Sequence, residues 1–180
     1  MIHQRHVGTT GDPINAILYD GNGNPIDLSA YTIKFRVTSD DGTVILADTN
    51  TGITAHPTQN FTANATTDLL TKIAHGVKED DQVVFSTTTT LPGGLTAATP
   101  YFARDISPNS FSVATVPGGS VVDIASAGTG THSFYVVGSV QYSVAAAVVA
   151  NAYTGNGYFS KYTGSVFDSY PTRSEERRVG

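Results

Sequence analysis

The sequence has no cysteine, no tryptophan and one methionine, and charged residues fill only 14% of its 180 positions. Without cysteine, disulfide frameworks and thiolate metal sites are excluded. That absence fits synthesis in a reducing compartment. Basic residues are few and the net charge is −5, so nucleic acid is not an expected partner. The opening "MIHQRHVGTTGDP" lacks the apolar core of a signal peptide. The most apolar stretch, "YVVGSVQYSVAAAVVANAY" (Tyr135 to Tyr153), is short for a span and broken by Gln141 and Asn151. It is expected to form buried strands, with no membrane partner. A helical turn or two within "SVAAAVVANAY" is the alternative.

Catalytic signatures are missing as well. The chain contains no G-x-S-x-G elbow, no H-E-x-x-H and no phosphate-binding glycine loop. No spacing singles out a carboxylate pair of the kind glycoside hydrolysis needs. The expectation is a non-enzymatic protein with no catalytic, cofactor-binding or metal-ligating residues and no cofactor.

What is present is β-patterning. With 39% hydrophobic residues, the chain can build cores. In "INAILYDGNGNPIDL", Ile14, Ala16 and Leu18 alternate onto one face, and Gly21 to Pro25 make a turn. In "YTIKFRVTSDDGTVIL", Ile33, Phe35 and Val37 share a face opposite Lys34 and Arg36. Asp41-Gly42 then signals a hairpin into Val44 to Leu46. Turns about every ten residues are the rhythm of a β-sandwich.

From about Asn60 the texture changes. "DDQVVFS", "PYFARDI", "NSFSVAT", "VVDIA" and "HSFYVV" read as short strands, separated by Gly and Pro at Gly76, Pro92 to Gly94, Pro108-Asn109 and Pro117 to Gly119. Longer strands resume at Gly138. Neither outer piece has strands enough for a core, but joined they have about six. The chain therefore reads as all-β, with residues 60–136 a small β-barrel or sandwich domain inserted into a sandwich formed by residues 1–59 and 137–173.

The outer pieces carry a motif. Gly11-Asp12 leads into a strand, followed by a D-x-x-G-x-P-x-D-L turn from Asp20 to Leu28, a T-x-x-F strand at Thr32 to Phe35, and the Asp41-Gly42 hairpin. Gly157-Tyr158 and Asp168 to Pro171 stand where a closing strand would fall. This resembles the N-terminal domain of the phage baseplate upper protein family over about residues 8–55 and 138–172. The resemblance implies an immunoglobulin-like β-sandwich serving as a structural module of a phage tail.

The middle resembles a second module that recurs in phage structural proteins. It matches at Thr71 to Gly76, Asp81 to Phe85, Leu91 to Leu95, Thr99 to Phe102, Phe111 and Gly128 to His132. It departs at Val77, where the pattern has Leu, and at Asp80, where it has Gly. Together the resemblances imply a virion protein that docks with other tail or baseplate proteins and forms a homo-oligomer in the particle. A host-surface, glycan-binding adhesin is the alternative.

Several polar clusters need weighing. Asp20 to Asn24 begins like an EF-hand loop, but Pro25 and Tyr31 occupy the positions where glycine and an acidic ligand belong. A hairpin turn is the favoured reading. Glu79 to Asp81 reads as a solvated acidic turn. His3 and His6 have ligand-like spacing without visible partners, and His75 and His132 read as hydrogen-bonded turn histidines. Tyr158, Tyr162 and Tyr170 invite sugar stacking, but cross-strand aromatics that stabilise a sheet are favoured. The ending "RSEERRVG" continues no strand pattern. Ser174 to Gly180 resemble translated sequencing adapter and are expected to be non-native or disordered.

Overall fold

The computed structural model describes residues 13–39, 44–143, 155–163 and 166–169. The fold is all-β and the chain divides into two compact units. One comprises Met1–His56 with Gly138–Gly180, the other Pro57–Val137. The divisions fall at 56/57 and 137/138, within three residues of those anticipated from composition.

The outer unit is sandwich-like. One sheet has the order β1-β11-β4, from β1 (Ile14–Ile17), β11 (Ser139–Tyr142) and β4 (Ile53–Ala55). The other runs β13-β12-β2-β3, from β13 (Val166–Ser169), β12 (Gly155–Thr163), β2 (Thr32–Ser39) and β3 (Val44–Thr49). All pairs are antiparallel. The core between the sheets holds Leu18, Ile26, Leu28, Ile33, Phe35, Val140 and Tyr142, with Ile14, Ala16 and Ile53 packed against it. Ile33 and Phe35 reach it because alternate residues of a strand share a face. β2 and β3 pair with register shifts between Phe35 and Thr38. Asp41-Gly42 lies outside the described residues, as do Gly11-Asp12, Tyr170-Pro171, Ser174 to Gly180 and most of the segment for which a helical turn was the alternative.

The inserted unit is a closed six-stranded barrel in the order β10-β5-β6-β9-β8-β7. Its strands are β5 (Gln59–Asn64), β6 (Leu69–Thr71), β7 (Gln82–Thr87), β8 (Pro100–Arg104), β9 (Ser110–Ala114) and β10 (His132–Val136). Every strand sends alternate residues inward: Phe61, Leu70, Val83 with Phe85, Tyr101 with Ala103, Phe111 with Val113, and Phe134. A barrel this small is filled by its own side chains. Phe134 sits at the centre of the packing, its ring 5.2 Å from Phe111, 6.0 Å from Phe61 and 6.4 Å from Phe85.

Two details differ from the sequence reading. β5 and β6 arise in "FTANATTDLL", where alternation is interrupted. "VVDIA" joins no strand. It makes only isolated bridges, Ala114 to Val121 and, just beyond it, Gly93 to Ser126. Ile124 from this segment is fully buried in the barrel core. The segment passes so close to Gly94 that a Cβ there would lie 2.2 Å from the Asp123 carbonyl oxygen. Close packing against the Pro92 to Gly94 turn takes the place of a ladder.

Candidate functional site

The turn from Asp20 to Leu28 is a stitched scaffold element. Asp20 Oδ1 accepts the backbone N–H groups of Asn22 at 2.9 Å and Asn24 at 2.8 Å, and Oδ2 accepts the Asn24 amide at 3.3 Å. These bonds hold the Asp20 carboxyl below its ordinary value, the Asn24 N–H contributing most. Both oxygens of the would-be first calcium ligand are thus already engaged by donors. Tyr19 and Pro25 bridge across the turn. Asp27 then caps a single 3-10 turn, Leu28–Ala30, accepting the Ser29 N–H at 3.0 Å and its hydroxyl at 2.6 Å. Leu28 drops into the outer core. Each polar position of the D-x-x-G-x-P-x-D-L motif thereby serves the backbone.

The acidic run disperses into separate tasks. Arg104 binds Glu79 at 3.0 Å and Asp80 at 3.5 Å. Asp80 Oδ1 also accepts the Gly118 N–H at 3.2 Å, and Asp81 Oδ2 accepts the Lys78 N–H at 2.8 Å. Burial raises the Asp81 carboxyl above its ordinary value, against the opposing pull of Lys78. Among the described residues, no three His, Asp or Glu side chains converge as a metal site would require.

The two barrel histidines tie loops to strands. His75 Nε2 lies 2.7 Å from the Ser107 carbonyl oxygen, and Nδ1 accepts the Val77 N–H at 3.0 Å. His132 Nε2 lies 3.0 Å from the Ala127 carbonyl oxygen and Nδ1 2.9 Å from the Thr87 hydroxyl. A carbonyl can only accept, so Nε2 is the donor in both rings. His3 and His6 lie outside the described residues. Thr87 ends β7, and the following threonines continue pairing through Thr88 to Thr131 and Thr90 to Thr129. Pro92 to Leu95 is then a tight turn closed by a 3.1 Å bond from the Leu95 N–H to the Pro92 carbonyl.

An open cleft of about 340 Å³ lies on the barrel, lined by Phe61, Thr62, Ala63, Ala127, Gly130, Thr131 and His132. Two of its lining residues, Phe61 and His132, are themselves buried. Both nitrogens of His132, its one titratable group, are already bonded. Of the tyrosines, Tyr158 and Tyr162 pair with Arg36 and Thr32 across β12 and β2, and Tyr170 lies outside the described residues.

His56 has a role that sequence reasoning did not assign. Its Nε2 accepts N–H groups from Leu28 at 3.3 Å and Gly138 at 3.2 Å. Its backbone N–H donates to the Ser139 carbonyl at 2.8 Å. Nothing around His56 in "TAHPT" marks it, because its ring contacts with Ile26, Leu28 and Gly138 come from elsewhere in the chain.

Comparison with family models, curated proteins and solved structures returned no match. What the fold defines is a class: an all-β protein of a sandwich-like unit interrupted by a closed barrel.

Proposed function

We propose that this chain is a structural, non-enzymatic component of a phage tail or baseplate, working by docking within a symmetric assembly in the virion. The observation that carries the reading is a contrast between its two units. The barrel is closed and presents no strand edge, whereas β1 and β4 stand at the edges of a three-stranded sheet among the described residues. Unpaired edges are templates for strand addition from a neighbouring chain. Support also comes from the residues behind the family resemblance, whose polar members serve turns and caps. Cross-linking mass spectrometry on assembled particles tests it. Links from residues flanking β1 or β4 to neighbouring subunits are expected. A chain missing from particles and monomeric at high concentration would overturn it.

A second reading, a glycan-binding adhesin module, is favoured by the barrel cleft, whose lining includes Phe61, Thr62, Thr131 and His132. A glycan array discriminates: binding abolished by Thr131→Trp favours the adhesin, and no binding removes it.

A further inference from the structure

We propose that His56 is a pH-operated clasp that joins the two points at which the chain of the outer unit departs for the barrel and resumes after it. His56 is the last residue of that unit before the insertion and Gly138 the first after it. The ring nitrogen Nε2 takes the Gly138 N–H at 3.2 Å and the Leu28 N–H at 3.3 Å, while the His56 N–H reaches the Ser139 carbonyl at 2.8 Å. Leu28 opens a 3-10 turn, so its N–H has no partner within that turn. One lone pair therefore serves two N–H donors from separate stretches of chain.

The backbone is bent to suit. His56 has φ +48 and Gly138 φ +77. A Cβ on Gly138 would lie 2.6 Å from the Leu18 carbonyl oxygen, and the Leu18 N–H in turn donates to Gly138 at 2.8 Å. The contact is close on every side, and a non-glycine residue with positive φ persists only where its surroundings hold it.

Protonation is incompatible with this arrangement. A proton on Nε2 removes the lone pair and turns an acceptor into a donor facing two donors. Two effects favour the imidazolium: the negative charge of Asp27 and a hydrogen bond from the ring to the Ile26 backbone. Burial acts in the opposite sense and is the larger effect, so the His56 pKa lies below its ordinary value of 6.5. The unclasped ring takes up a proton near that ordinary value, and the clasped ring resists to lower pH. The clasp is therefore at full strength above about pH 6.5 and weakens as pH falls from there towards the folded value, by up to about tenfold per pH unit.

Amide exchange measured by NMR on the intact protein tests this. Between about pH 7.5 and about pH 5, protection at Leu28 and Gly138, corrected for intrinsic exchange, is expected to fall by up to about tenfold per unit. Barrel amides such as Ala103 and Phe134 should keep theirs. His56→Gln keeps an acceptor without a titrating proton, so its two amides should show no such fall. Unchanged protection in the native protein, or the same fall in His56→Gln, overturns the proposal. Should His56→Gln fail to fold, the native ring decides: titration below the ordinary value together with loss at Leu28 and Gly138 supports the clasp, and titration at or above it refutes the clasp.

Discussion

The rings of Phe35 and Tyr142 lie 4.3 Å apart with their planes inclined by 31°. One belongs to β2, before the insertion, and the other to β11, after it. Both are almost fully buried, so this pair joins the two sheets of the outer unit across the interruption. Tyr142→Ala should cost about 3–5 kcal/mol of outer-unit stability, the usual loss for a large buried ring. Burial also raises the Tyr142 pKa. An acid whose folded pKa is raised contributes stability below its unfolded value, about 10, and loses it as pH rises beyond. Denaturant melts should show that alkaline loss in the native protein and a smaller one in Tyr142→Phe.

In the barrel, Asp68 Oδ1 accepts the N–H of the fully buried Ile124 at 2.8 Å. Asp68→Ala leaves that donor unpaired and should destabilise the barrel by about 1–3 kcal/mol. Asp68→Asn keeps a carbonyl acceptor and tolerates the local φ of +56, so its melt should lie near the native one. Equal losses in the two variants would remove the bond from the account.

Glycines separate by environment. A Cβ on Gly94, at φ +98, would lie 2.2 Å from the Asp123 carbonyl oxygen, whereas one on Gly21 would meet nothing within 4 Å. Gly94→Ala should therefore cost more than about 1 kcal/mol, while Gly21→Ala stays within about 1 kcal/mol of native. Paired thermal melts check the ranking.

The half-buried Asp81 carboxyl has a raised pKa, so the folded barrel holds that proton more tightly than the unfolded chain. Barrel stability from this group rises as pH falls through the raised value and is lowest when the carboxylate is ionised. Asp81→Asn retains an acceptor for the Lys78 N–H and should be at least as stable as the native protein at neutral pH. The difference should disappear below the ordinary carboxylate range. A urea series across pH measures it, and a destabilised Asp81→Asn at neutral pH would contradict the burial argument.

Excision of Pro57–Val137, with His56 joined to Gly138 through a short turn, should leave an outer unit with native β circular dichroism. β4 and β11 already pair, Ala55 opposite Val140, and the His56 N–H already bonds to Ser139. The two strands then need only a hairpin turn. The excised barrel should fold by itself, since it is closed and has its own core. An unfolded product in either case argues against independent units.

Much of the fold was legible: β1 and β2 as period-two alternation, and β7, β8, β9 and β10 as short apolar-rich segments between glycine and proline turns. β4 and β6 were not, because a three-residue strand carries too little pattern to stand out from its neighbours. "VVDIA" shows the opposite failure. Its composition is that of a strand, yet close packing on Gly94 gives it bridges rather than a ladder.

The sequence by itself determined the all-β character, the turn at Asp20 to Leu28 and the presence of an interrupted domain. These depend on residues near one another in the chain, whose alternation and capping act locally. Only the tertiary structure decided that the insert closes into a barrel, that Ile124 plugs it under an Asp68 cap, and that His56 gathers Leu28 and Gly138 onto one nitrogen. Those outcomes depend on groups brought together from distant positions, where register and packing rather than local pattern set the partner.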